Sequence, residues 1–324
     1  MFRIITKTGT ANRYKFGVSF EGLYPNAPLA DVIPAWFENG TKAITFGGTG
    51  NVNKFQKSTY ATDVTAVLAA TLGIGRSFPA GMGNTTVGYA IGGSNNGDRA
   101  EVDKFTYATD VRSAGTNLSV GTNGGFATGN GTIGYFSGGY FSGDNRVNCI
   151  KFTYSTGANS AQTSGNLSLA RRSGTATSGP YAGWFFGGYG AADGTTTADK
   201  TLFATDTNAS VASATLPGIS YNNGSVGNFT NNFCFRGADN LDAASATIYK
   251  IPTATEVSST SSGTLALAKH GFGFSCNETT AFMIAGYTTG ATTNGQKMVL
   301  STETCSTVSG LASIWSAYFL GGMG

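Results

Sequence analysis

The chain has 324 residues, of which 11% are charged and 12% aromatic, and its formal net charge is +3 with no basic run. That argues against a nucleic-acid footprint, which needs clustered Lys and Arg, and against disorder, which goes with few aromatics and high net charge. Its 48 Gly, 22 Phe and 14 Tyr, set among Thr-, Ser- and Asn-rich stretches, fit an all-β protein.

The opening residues, MFRIITKTGT, carry no apolar signal core, and no stretch is long enough to span a membrane. Folding in a cytoplasm, without membrane insertion, is therefore expected. Cys149, Cys234, Cys276 and Cys305 lie far apart with no CxxC pair and read as small buried thiols on strands. A single histidine argues against a zinc site.

A double glycine punctuates the chain. Gly47-Gly48, Gly92-Gly93, Gly138-Gly139 and Gly187-Gly188 are 45, 46 and 49 residues apart, and Arg236-Gly237 and Ala285-Gly286 continue the series at 49 and 49. That period is one four-stranded propeller blade. Eight residues before each pair stands a turn residue: Asn39, Asn84, Asn130, Gly179, Asn228 and Asn277. These are read as hairpin turns, where Asn and Gly tolerate a positive φ. Leu72, Leu118, Leu167, Leu216 and Leu265 recur twenty residues before most pairs and are expected to pack between blades. After each pair come a polar loop and an alternating strand that opens on or near a lysine, as in Lys104-Phe105-Thr106-Tyr107 and Lys151-Phe152-Thr153-Tyr154. A turn with Asp63, Asp110 or Asp206 follows, and each Asp is expected to bond nearby backbone N–H groups.

With the strands of a blade lettered a to d, complete units span 31–72, 76–118, 122–167, 171–216, 220–265 and 269–311. Residues 3–16 (RIITKTGTANRYKF) align without gaps on residues 42–55 (KAITFGGTGNVNKF). The sequence therefore predicts strands b, c and d of a further blade within 1–30, completed by a C-terminal strand a within 312–324. The expected fold is a single all-β propeller of seven blades, closed non-covalently by that pairing. Six blades with loose ends is the alternative.

A strand ending in Gly-Gly, a polar loop and an aromatic-rich strand together resemble a kelch repeat. The later Tyr and Trp of kelch repeats are not cleanly present, so the match is to the broader kelch-like class. KFTYATD (104–110), NLSLAR (166–171) and TGNGTIGYFSGG (128–139) more closely resemble repeat units of kelch-like virion structural proteins of tailed bacteriophages, notably those infecting marine cyanobacteria. The resemblance covers nearly the whole chain. It implies a tail, fibre or capsid-surface component in the virion, made in the host cytoplasm, and supplies no catalytic residue.

Little in the chain points to chemistry. His270, beside Lys269 where other repeats carry Arg76 and Arg171-Arg172, is read as a solvated basic residue. It assembles no Ser-His-Asp or Cys-His set, and one His cannot supply a copper radical site. Asp98, Glu101, Asp103, Asp144, Asp193, Asp199, Asp239 and Asp242 are not repeated from blade to blade, and most are placed in or beside the b–c loops. Residues 94–103 match no calcium-loop spacing, and the glycine runs precede no helix that would cradle phosphate. No cofactor, metal or catalytic site is expected. Asn-X-Ser/Thr occurs nine times and is read as a by-product of the repeat.

The b–c loops differ between blades, and loops on a rigid scaffold carry recognition. The candidate recognition surface is Arg99, Tyr140, Asp144, Arg146, Tyr189 and Tyr287. The expected function is a non-enzymatic virion protein that binds other virion proteins and a host-surface glycan or receptor, with self-association in the particle and no nucleic-acid partner. A carbohydrate-binding propeller or glycan-active enzyme is the alternative.

Overall fold

The computed structural model describes residues 3–4, 16–17, 41–239, 243–313 and 321–323. Local structure begins at the a–b turns. Asn84, Asn130, Asn228 and Asn277 each accept through Oδ1 the N–H groups two and three residues on and the hydroxyl of the Thr at the first of these, as at Asn84 with Thr86 and Val87 at 2.9 to 3.0 Å. None of the four has a positive φ. The sequence expectation of a left-handed turn is thus corrected. Asn is required for its acceptor, and the Thr that makes Asn-X-Thr is the third donor. Asn39 lies outside the described residues.

Six four-stranded antiparallel sheets follow, each a propeller blade. The inner strands are Ala80–Gly83, Phe126–Gly129, Thr175–Ser178, Gly224–Gly227, Gly273–Cys276 and Gly321–Met323. The last pairs with Lys42–Phe46 in the register Gly321↔Phe46, Gly322↔Thr45 and Met323↔Ile44. It becomes strand a of the blade built from Lys42–Phe46, Lys54–Thr59 and Val64–Thr71. The ring therefore closes at six blades, and the expected seventh is corrected. The C-terminal strand continues the phase of the other inner strands, so it enters the open inner place of the first full unit. Arg3–Ile4 and Phe16–Gly17 form a separate two-stranded ladder with Ile4 opposite Phe16. A copy of the first blade would set Lys7 opposite Phe16, as Phe46 faces Phe55. The remaining expected N-terminal strands, and a strand a within 31–40, lie outside the described residues.

The glycine pairs join the blades. The N–H of the second glycine donates to a carbonyl of the next blade: Gly48 to Arg76, Gly93 to Thr122, Gly139 to Arg171 and Gly188 to Ser220, at 2.7 to 3.0 Å. The first glycine has φ of 59° to 70° and lies against the same carbonyl. A Cβ on Gly47 or Gly138 would stand 2.6 or 2.7 Å from it.

Nearer the axis a second series of bonds runs across five successive blades. Gly124 N–H donates to Phe78 O, Ser173 to Gly124, Asn222 to Ser173 and Gly271 to Asn222, at 2.6 to 3.2 Å. All five residues are left-handed, with φ from 48° to 61°.

The core is divided among the blade interfaces. Each of six apolar clusters joins two adjacent blades, and each contains one of Leu72, Leu118, Leu167, Leu216, Leu265 and Leu311. The leucines thus pack between neighbours as the sequence predicted. Burial of each contributes about 2–3 kcal/mol.

Candidate functional site

Alternating strand direction puts the b–c loops and d–a connections on one face and the a–b and c–d turns on the other. On the loop face, the b–c loops of the second, third and fourth blades (strands from residues 80, 126 and 175) are linked. The third-blade loop folds into a small hairpin, with Tyr140 opposite Asn145 and Phe141 opposite Asp144. Asp98 of the preceding blade accepts the Ser142 N–H at 3.0 Å and also bonds the Asn123 amide. On the other side Asn145 Nδ2 donates to Tyr189 O at 3.1 Å and Gly190 O at 2.6 Å.

Between the hairpin and Tyr189 lies a groove of about 420 Å³, whose lining includes Tyr140, Asp144, Asn145, Arg172 and Tyr189. The Arg172 guanidinium stacks 4.3 Å from the Tyr140 ring centroid and 5.5 Å from that of Tyr189. This cation–π sandwich fixes both rings and the arginine. Tyr189 is further held by its hydroxyl on Ala192 O at 2.8 Å and by an edge contact with Tyr221 at 5.7 Å. Asp144 is exposed at the rim.

The six predicted recognition residues do not form one patch. Tyr140, Asp144 and Tyr189 meet in the groove. Arg146 lies beside it, 5.7 Å from the Phe141 ring centroid. Arg99 is tied to Glu101 in its own loop, at 3.0 and 2.5 Å. Tyr287 belongs to the sixth blade, where it pairs with His270 and its ring lies 5.1 Å from the imidazole. Arg172 is not among the predicted recognition residues because it comes from the connection into the next blade. The Arg171-Arg172 doublet was its only signal.

Several sequence assignments are corrected by burial. His270 is 2% exposed, and Arg76, Arg171 and Lys269 are fully buried, so none is a solvated basic residue. Asp103 and Asp199 are also fully buried, within Val102–Thr106 and Ala198–Leu202 rather than in the loops. They pair with the arginines: Arg76 Nη1–Asp103 Oδ2 at 2.7 Å and Arg171 Nη1–Asp199 Oδ2 at 2.6 Å. Burial lowers both guanidinium pKa values, and the adjacent carboxylates oppose that. In the corresponding slots of other blades, Thr122 goes with Ile150, Ser220 with Tyr249, and Lys269 with Gln296. Lys269 is therefore a buried cation whose slot partner carries no charge. Its Nζ donates to Met283 O at 2.9 Å and Asn294 O at 3.1 Å, and burial pushes its pKa down to about 7.

The turn acids stay in one structural slot as predicted, but with different partners. Asp63, Asp110 and Asp206 pair with lysines of the preceding blade, Lys297, Lys57 and Lys151, at 2.5 to 2.7 Å. All four cysteines are free and on strands; Cys149 and Cys234 are buried, and Cys276 and Cys305 half-buried. Burial pushes their thiol pKa values up to between about 11 and about 12. Among the described residues no three His, Cys, Asp or Glu side chains group as metal ligands. No protein-family model matches the chain, and no curated protein matches it.

Proposed function

We propose that this propeller is a non-enzymatic interaction protein of a tailed-phage particle, a tail, fibre or capsid-surface component that binds neighbouring virion proteins through its loop face. The observation that carries the reading is the linkage of three successive b–c loops into one prepared surface. Asp98 ties the second blade's loop to the third, Asn145 ties the third to the fourth, and Arg172 is stacked between Tyr140 and Tyr189. A recognition surface already fixed in shape loses little entropy on binding, and Tyr and Arg are favoured anchors at protein contacts. The phage assignment is supported by the repeat units at 104–110, 128–139 and 166–171. Peptide mass spectrometry of purified virions tests it. The chain is expected among the structural proteins, and its absence refutes the assignment.

The groove also favours a second reading, host-glycan binding. Arg172 offers N–H donors, Asp144 offers acceptors, and two tyrosines wall the space. A glycan array with the wild type and Tyr140→Ala separates the two. Binding lost in the variant supports this reading, and no binding by the wild type removes it.

A further inference from the structure

Six lysines occupy one slot of strand c: Lys57, Lys104, Lys151, Lys200, Lys250 and Lys297. Their register is the same in every blade, opposite Ile44, Tyr89, Tyr135, Trp184, Phe233 and Phe282 of strand b. Five of them cross to an acid in the c–d turn of the next blade. Lys57 reaches Asp110, Lys151 Asp206, Lys200 Glu256, Lys250 Glu303 and Lys297 Asp63, all at 2.5 to 2.7 Å. The five acids share one backbone conformation, with φ from 53° to 57°.

Between the second and third blades the acid is missing. Its place is taken by Gly157, with φ of 70°. The turn is otherwise the same: Gly157 N–H donates to Thr153 O at 2.8 Å, as Asp206 N–H does to Leu202 O at 2.9 Å. A Cβ at Gly157 would meet only the Tyr89 hydroxyl, at 3.6 Å, within 4 Å. Lys104 is half-buried and pairs with no acid among the described residues.

The next interface provides the template for what this position accepts. There Asp206 takes Lys151 Nζ on Oδ2 at 2.6 Å and the Tyr135 hydroxyl on Oδ1. Tyr89 is the counterpart of Tyr135 and Lys104 of Lys151. The Tyr89 hydroxyl, however, is fully buried and donates to Tyr154 O at 3.3 Å, so among the described residues the donor left without a carboxylate from the chain is Lys104.

We propose that Lys104 and the open turn at Gly157 form a carboxylate-binding position on the turn face, filled by an Asp or Glu side chain of a partner protein. Because only one of the six interfaces has it, the position fixes one rotational setting for a partner on a face whose other interfaces are alike. It lies opposite the loop groove and does not depend on the function proposed above.

Lysine acetylation at low salt, read by peptide mass spectrometry, tests the site. Lys104 is expected to react several-fold faster than the five paired lysines, since each pair holds its ammonium in contact with a carboxylate. A short peptide carrying one Asp is the probe, and the same peptide with Asn the control. The Asp peptide should slow Lys104 alone, and the Asn peptide should not. Gly157→Asp supplies the carboxylate from the chain and should slow Lys104 with or without the probe. Equal effects of both peptides on wild-type protein, or no effect of either, overturn the proposal whether or not the variant folds.

Discussion

Lys269 is the residue whose environment departs most from its type. Arg76 and Arg171 in the equivalent slot face Asp103 and Asp199, but Lys269 is met by the carbonyls of Met283 and Asn294. Below about pH 10.5 the unfolded chain protonates this amine, whereas the folded chain takes up the proton only below about 7. The unfolded state holds more protons across that window, so the contribution of this group to stability rises with pH between the two values. Thermal melts of wild type and Lys269→Met from pH 7 to 9.5 should therefore diverge, with the wild type gaining relative to the variant as pH rises. Parallel profiles contradict the assignment. The sequence could not disclose this burial. Lys269-His270 reads as a polar pair at a blade entrance, and only the packed ring places it against Met283 and Asn294.

At the scale of the element, the glycine pair shows what repetition reveals and conceals. Its spacing alone identifies the blade. Its cause, the next blade's carbonyl against the first glycine and on the N–H of the second, is a contact between elements far apart in sequence. Gly92→Ala should therefore cost about 2–4 kcal/mol, because a Cβ there overlaps Thr122 O and φ is +61°. Denaturant unfolding measures it, and a loss below about 0.5 kcal/mol would refute the interlock. The sixth blade already carries Ala285 at the equivalent position with φ of 58°. The strain is therefore tolerated once, where the pair has diverged. The a–b turns teach a similar lesson. Asn at the right place was legible, while its role as a three-donor acceptor rested on the Thr two residues on. At the groove, Tyr140, Asp144 and Tyr189 were legible from their loop positions. Arg172, which holds the two rings, was not, because it enters from the following blade.

For the whole molecule, the propeller and its blade boundaries follow from the period, but the blade count depends on which strand fills the first blade's inner place. The gapless match of residues 3–16 to 42–55 suggested another blade. The observed pairing gives Gly321–Met323 to Lys42–Phe46, and each end of the ring thereby supplies the other's missing partner. The same closure aligns Lys297 with Asp63, so the lysine–acid series crosses the seam between the sixth and first blades. Closure removes the two open sheet edges that an unclosed ring would leave. It also holds the loop face as one rigid surface, on which the proposed function depends.

That closure has a direct test in disulfide trapping with two paired-cysteine variants. Gly322 stands opposite Thr45 in the closed ring, whereas the seven-blade alternative sets it opposite Thr6, the aligned copy of Thr45. Under mild oxidation, non-reducing peptide mapping should find the cross-link in Thr45→Cys/Gly322→Cys and not in Thr6→Cys/Gly322→Cys. A cross-link only in the second variant would contradict the six-blade ring.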